Sequence, residues 1–201
     1  MICLNATRED DWESVLQTIE RARNVPELPE VVPFFGIHPW YVKDLSPNWE
    51  VRLCETIKSF PTAGVGEIGL DALRSDWELQ KRIFLTQLEL AVTLKRPVSI
   101  HCVRAWQETE RLIQQTVGPI KTPIILHGFN GSAEQAIHFL EGLDWNVYFS
   151  LTASRSRLNS PKTRGLLERL PSDRILAETD AETLEQTQGF TAFCESIKKP
   201  E

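Results

Sequence analysis

The sequence predicts an α/β protein of the (β/α)8 TIM-barrel type, on three observations. Strand-like and helix-like segments alternate along the chain, the strand-like ones are short apolar runs bounded by Pro or Gly, and four of those runs finish in a residue able to bind a divalent metal. Such alternation means parallel strands joined by helices packed outside the sheet. Apolar runs of this length suit strands buried on both faces. Polar residues finishing them gather where parallel α/β proteins collect ligands and catalytic groups, at the carboxyl ends of the strands. An open doubly wound sheet is the runner-up, but it would concentrate its site at one switch point.

In chain order, ICLNAT reads as a strand and DDWESVLQTIERARN as a helix. VVPFFGIHP reads as a strand with His38 at its end, followed by the loop WYVKDLSPNW and the helix EVRLCETIKSF. AGVGEIGLD is a third strand. It precedes DWELQKRIFLTQLELAVTLK, where Phe84, Leu88, Ala91 and Val92 share one face at helical spacing. PVSIHC leads into AWQETERLIQQTV, and PIILHGF into SAEQAIHFLEGL, which Ser132 is suited to cap. NVYFSLTA, the helix KTRGLLERL and a last strand, RILAETD, complete the series. A typical barrel uses about 250 residues, roughly 31 per unit. Seven strands are legible here, so the barrel reads as incomplete, with the first βα unit missing from a single domain over residues 1–201.

The 201 residues are 41% hydrophobic and 25% charged, ordinary for one globular domain. Nothing approaches the roughly 20 apolar residues of a membrane span, and no secretory leader is visible. Cys3, Cys54, Cys102 and Cys194 are scattered without CxxC spacing and read as buried free thiols, which together with the rest points to the cytoplasm. A net charge of −6 argues against a broad basic surface for gripping duplex nucleic acid. It leaves room for a nucleic-acid substrate whose phosphate meets bound cations.

The four residues that finish strand-like runs are Glu67, His101, His127 and Asp180. Imidazole and carboxylate together suit Zn, Mn or Mg. A carboxylate can bridge two ions roughly 3.5–4 Å apart, and Glu67 is the candidate bridge. His101 and His127 complete one ion's shell, while Asp180 ligates the other or deprotonates the attacking water. Each has a bland alternative: an ion pair for Glu67, a hydrogen-bonded structural role for either histidine, a helix cap for Asp180. Their joint occurrence at equivalent positions favours the site. His38 reads equally as a substrate contact or as loop packing. Asp71, four positions after Glu67, either orients a ligand or caps a turn. Arg104 and Arg155 are candidates to meet a substrate phosphate, and His138 reads as a helix-face residue.

On GIHPW (36–40), GEIGLD (66–71), IHCVRAW (100–106), HGFNGS (127–132) and ETDA (178–181), the chain resembles the TatD family of metal-dependent deoxyribonucleases, within the amidohydrolase-like barrel superfamily. The resemblance implies a TIM barrel hydrolysing DNA phosphodiesters with two divalent ions, acting on single strands or DNA ends. It implies that Glu67 bridges the ions, that His101 and His127 bind one, and that Asp180 serves the other. The family's first strand carries an HxH metal pair, and this sequence contains no HxH. One metal site is thus complete in sequence and the second incomplete. Either the reading frame starts internally, or the strand is naturally lacking. The leading expectation is a TatD-like deoxyribonuclease. The alternatives are a weak or inactive relative with a binding or scaffold role, and a hydrolase of small carbonyl substrates.

Overall fold

A computed structural model describes residues 1–25, 29–116, 122–142, 146–152, 160–179 and 181. The chain divides into two compact units, Met1–Ile124 and Ile125–Glu201. In the first, four strands pair in chain order and all in parallel: β1 (Ile2–Asn5), β2 (Val31–Phe35), β3 (Gly64–Asp71) and β4 (Val98–Val103). Between and after them come α1 (Asp11–Arg23), α2 (Trp49–Ser59), α3 (Trp77–Leu94) and α4 (Trp106–Gln115).

The helices form where the sequence offers an apolar stripe, and α1 and α2 add a favourable charge order. α1 buries Trp12, Val15 and Ile19 at spacings of three and four, with Asp11 and Glu13 in its first turn and Arg21 and Arg23 in its last. That order complements the helix dipole. The expected face of α3 is present: Phe84, Leu88 and Ala91 are buried, and Val92 sits at its rim. The same face also buries two glutamines, Gln80 and Gln87, which are wholly inaccessible.

Strand β3 carries the most information. Ile68 and Leu70 are fully buried and alternate with Glu67, Gly69 and Asp71, so the period of two sends the apolar pair to one face and the carboxylates to the other. In β4, Val98, Ile100 and Cys102 likewise alternate with Ser99 and His101. Gly69 pairs with His101, next to a shift of register between Val65 and Ile68. The backbones approach so closely there that a Cβ on Gly69, at φ 145°, would lie 1.9 Å from the His101 carbonyl oxygen.

The second unit holds β5 (Ile124–His127, whose first residue lies on the boundary), α5 (Ala133–Glu141), β6 (Val147–Thr152), α6 (Pro161–Arg169) and β7 (Ile175–Glu178). β6 and β7 run parallel, with Thr152 opposite Glu178. Ser132 caps α5 as expected, its hydroxyl accepting the Gln135 N–H at 3.2 Å. Ser160 does the same for α6, ahead of Pro161. Among the described residues no helix is long and apolar enough to cross a membrane.

Two expectations change. The described cysteines are free, but only Cys102 is buried; Cys54 is half-buried and Cys3 exposed, because the start of β1 is uncovered. Glu67 and His101 lie inside their strands rather than at the ends, since β3 runs on to Asp71 and β4 to Val103. Alternation within each strand puts them on the face opposite the apolar residues, and the strand needs no break to present them.

Candidate metal centre

Glu67 and Asp71 sit two residues either side of Gly69 and on the same face of β3. His101 pairs with Gly69 across the ladder. The His101 imidazole lies between the two carboxylates. Its Nδ1 is 3.0 Å from Glu67 Oε1, and its Nε2 is 3.8 Å from Asp71 Oδ2. Glu67 and Asp71 are both buried, and His101 nearly so.

His38 completes the cluster from a different direction. It lies three residues beyond β2, not at the strand end, and caps a 3-10 turn over Pro39–Tyr41. Its backbone N–H donates to the Thr7 carbonyl at 2.8 Å, and its Nδ1 accepts the Trp40 N–H at 3.3 Å. A neutral ring that accepts at Nδ1 carries its proton on Nε2. That atom lies 3.7 Å from Glu67 Oε1. The rings of His38 and His101 meet edge to face, centroids 4.2 Å apart. Candidate ligand atoms of His38, Glu67 and His101 all lie within 4.8 Å of one another.

The cluster is held by groups the sequence did not announce. Gln80 grips Asp71 by its backbone: its Oε1 accepts the Asp71 N–H at 2.9 Å and its Nε2 donates to the Asp71 carbonyl at 3.2 Å. Seven residues on, Gln87 does the same to Ile37, at 2.7 and 3.1 Å, and so fixes the approach to His38. The Asp71 side chain accepts the Trp40 indole N–H at 2.7 Å and the Leu73 N–H at 2.9 Å. Burial pushes its carboxyl pKa up, but these donors, with His101 and Arg74 nearby, hold it below its ordinary value. Asp71 therefore both caps a turn and faces the cluster.

The donor set fits a divalent cation. His101 Nε2 is buried and has no hydrogen-bond partner, while Nδ1 sits on a carboxylate. His38, Glu67 and His101 each offer one ligand atom in this cluster, and imidazole together with carboxylate suits Zn, Mn or Mg. A buried lone pair beside a second carboxylate is costly without a partner and is satisfied by a cation.

His127 ends β5 as expected and belongs to the second unit, where its Nδ1 lies 3.0 Å from Glu178 Oε2. Glu178 also accepts the Gly128 N–H at 3.0 Å and the Thr152 hydroxyl at 2.8 Å. It is buried at the end of β7, two residues before Asp180, and in sequence it shows only as the first residue of ETD. Arg104 follows β4 directly, exposed and at φ 52°. His138 lies exposed on α5. Asp180, Arg155 and Cys194 fall outside the described residues.

Comparison with known proteins gives a consistent picture. The profile of the family described as TatD related DNase matches residues 1–193. A protein of Haemophilus influenzae named as an uncharacterized metal-dependent hydrolase is 30% identical over 73% of this chain and 57% of its own length. A protein of Erwinia tasmaniensis named as the 3'-5' ssDNA/RNA exonuclease TatD is 32% identical over 73% of this chain and 56% of its own. The chain thus spans less than two thirds of the length of these relatives. Among solved structures, the TatD homolog YJJV of Escherichia coli superposes with a TM-score of 0.78 at 25% identity, covering 99% of this chain and 79% of that one. The α/β barrel-type fold read from the sequence is the one this solved neighbour shares.

Proposed function

From the premise that the chain belongs to the family of TatD-related DNases, we propose that it is a metal-dependent hydrolase cleaving phosphodiester bonds in single-stranded DNA. The observation that carries this is His101, set between Glu67 and Asp71 with its buried Nε2 unpartnered. Glu67 and His101 would hold a divalent ion, each offering a ligand atom of the cluster they form with His38. The sequence adds His127 and Asp180 as further ligands, with Glu67 as the bridge if two ions bind. Such an ion polarises a phosphoryl oxygen and makes water nucleophilic near neutral pH.

The chain's own groups take the remaining roles. His38, with its proton on Nε2, is the donor suited to a non-bridging phosphoryl oxygen, and Arg104 is the exposed cation suited to a neighbouring phosphate. Asp71 keeps the His101 side of the cluster anionic. Asp180 is assigned the proton of the attacking water. Strand recognition needs no broad basic surface on a chain of net charge −6, which supports a substrate held at few phosphates. The unpaired spacing of the cysteines supports a reducing, cytoplasmic setting.

The test is cleavage of end-labelled single-stranded DNA with Mg²⁺ or Mn²⁺. Wild type should cut, chelation should stop it, and Glu67→Ala should not cut. Equal rates for wild type and Glu67→Ala would remove the mechanism.

A further inference from the structure

Trp40 is large, apolar and half bare: 49% of its surface is exposed. Tryptophan is usually well covered, and this one is nevertheless fixed in place. Its indole N–H donates to Asp71 Oδ2 at 2.7 Å, and its ring meets that of His38 edge to face at 5.0 Å and that of His101 at 6.3 Å. The Arg74 guanidinium lies 4.3 Å from the ring centroid, and the adjacent Leu73 is 62% exposed. Arg74 comes from the turn that Asp71 closes, its N–H donating to the Asp71 carbonyl at 3.1 Å. An exposed aromatic thus stands beside the candidate metal cluster with a cation stacked on it, held through a residue of that cluster.

From this juxtaposition we infer that Trp40 and Arg74 form a stacking platform for one unpaired nucleobase of the strand whose phosphate enters the cluster of His38, Glu67 and His101. The inference rests on the reading of the protein as a nuclease and adds the site that receives the base. Indole and guanidinium planes both stack on bases, and neither reads a base edge, so the platform takes any sequence. In a duplex the base faces are already stacked, so the platform favours single strands and frayed ends. Arg74 adds positive charge beside the base, where the next phosphate of the strand lies within reach. Trp40 is a positioning residue here: it orients the nucleotide, and the reacting atoms meet other groups.

The experiment compares two short single-stranded oligodeoxynucleotides with uncleavable phosphorothioate backbones, alike except that one carries abasic sites in place of its terminal bases. Binding to the full chain is read by fluorescence anisotropy in Mn²⁺. Trp40→Ala should weaken binding of the base-bearing strand about five- to a hundredfold and leave the abasic strand nearly unchanged. Trp40→Phe should restore most of the loss, because it keeps an aromatic face, though a smaller one, while removing the N–H that Asp71 accepts. If Trp40→Ala weakened both strands equally or neither, or if Trp40→Phe behaved like Trp40→Ala, the platform would be wrong and Trp40 would be at most a support for Asp71. If wild type bound neither strand and cut no DNA, the nuclease reading itself would fail, and this inference with it.

Discussion

His101 on β4 and His127 on β5 are held alike, each with Nδ1 at 3.0 Å from a glutamate oxygen, yet their glutamates keep different company. Glu178 also accepts from neutral donors of its own unit, the Gly128 N–H and the Thr152 hydroxyl. Glu67 instead stands among groups that bind or carry charge: His38 at 3.7 Å, His101, and Asp71 beyond the imidazole. A carboxylate whose acceptor sites are filled by hydroxyl and amide orients a histidine. One that shares a buried pocket with a second carboxylate and two imidazoles concentrates charge, which a cation relieves. The same pairing thus stands in two surroundings: in the second unit the glutamate is suited to orient its histidine, and in the first both members are candidate ligands.

The largest difference should appear in activity. Glu67→Gln is expected to lower kcat/KM for single-stranded DNA about a thousandfold, the scale of losing metal stabilisation of the transition state. Glu178→Gln should cost about ten- to a hundredfold, as for groups that only orient a ligand. Equal losses in a steady-state assay would erase the distinction between the two pairs.

The next effect tests what holds the first cluster. Replacing Gln87 by Leu leaves the Ile37 N–H and carbonyl without their partner in a dry interior, and should destabilise the fold by about 1–3 kcal/mol in urea unfolding. His38 and the substrate affinity should suffer with it. An unchanged midpoint would mean that Gln87 is not the clamp its two bonds suggest.

These clamps also mark the limit of what the sequence revealed. Glu67 and His101 are legible as polar residues that finish apolar runs, whereas the sidedness of β3, in the alternation Glu67–Ile68–Gly69–Leu70–Asp71, shows only once the strand is known to run on to Asp71. Gln80 and Gln87 are not legible, because a glutamine on an apolar helix face carries no periodic signal until the backbone it reads is known. Their seven-residue spacing, two turns of one face, was the trace available. His38 was read as a strand end because VVPFFGIHP is apolar to its last residues. The chain instead leaves β2 at Phe35, and Pro39 opens a 3-10 turn. Glu178 carries no separate signal, because the run RILAETD finishes at Asp180, two residues on.

Smaller effects sharpen the picture around His101 and His38. Burial pushes the Cys102 thiol up to about 11, so at neutral pH it should resist alkylation until the protein unfolds. Rapid native-state labelling, followed by mass spectrometry, would show that the β4 side of the cluster is open. Asp11 accepts the Thr7 hydroxyl at 2.6 Å and the Thr7 N–H at 3.1 Å, and Thr7 in turn accepts the His38 N–H. Burial raises the Asp11 pKa, but Thr7 and Arg8 outweigh it and hold the carboxyl below its ordinary 3.8. Its contribution is therefore present above that value and is lost as pH falls through the lowered one. Asp11→Asn should cost less than about 1 kcal/mol at neutral pH, since the group is partly exposed. The gap to wild type should close as the solution is acidified, and a gap that widened in acid would reverse the sign.

The central claim is that Glu67 and His101 hold a divalent ion, and Co²⁺ titration followed by visible absorption reads it without requiring turnover. The account predicts a saturable Co²⁺ spectrum in wild type that Glu67→Gln and His101→Gln abolish and Glu178→Gln preserves at weakened affinity. A wild-type spectrum that survives unchanged in Glu67→Gln would contradict it.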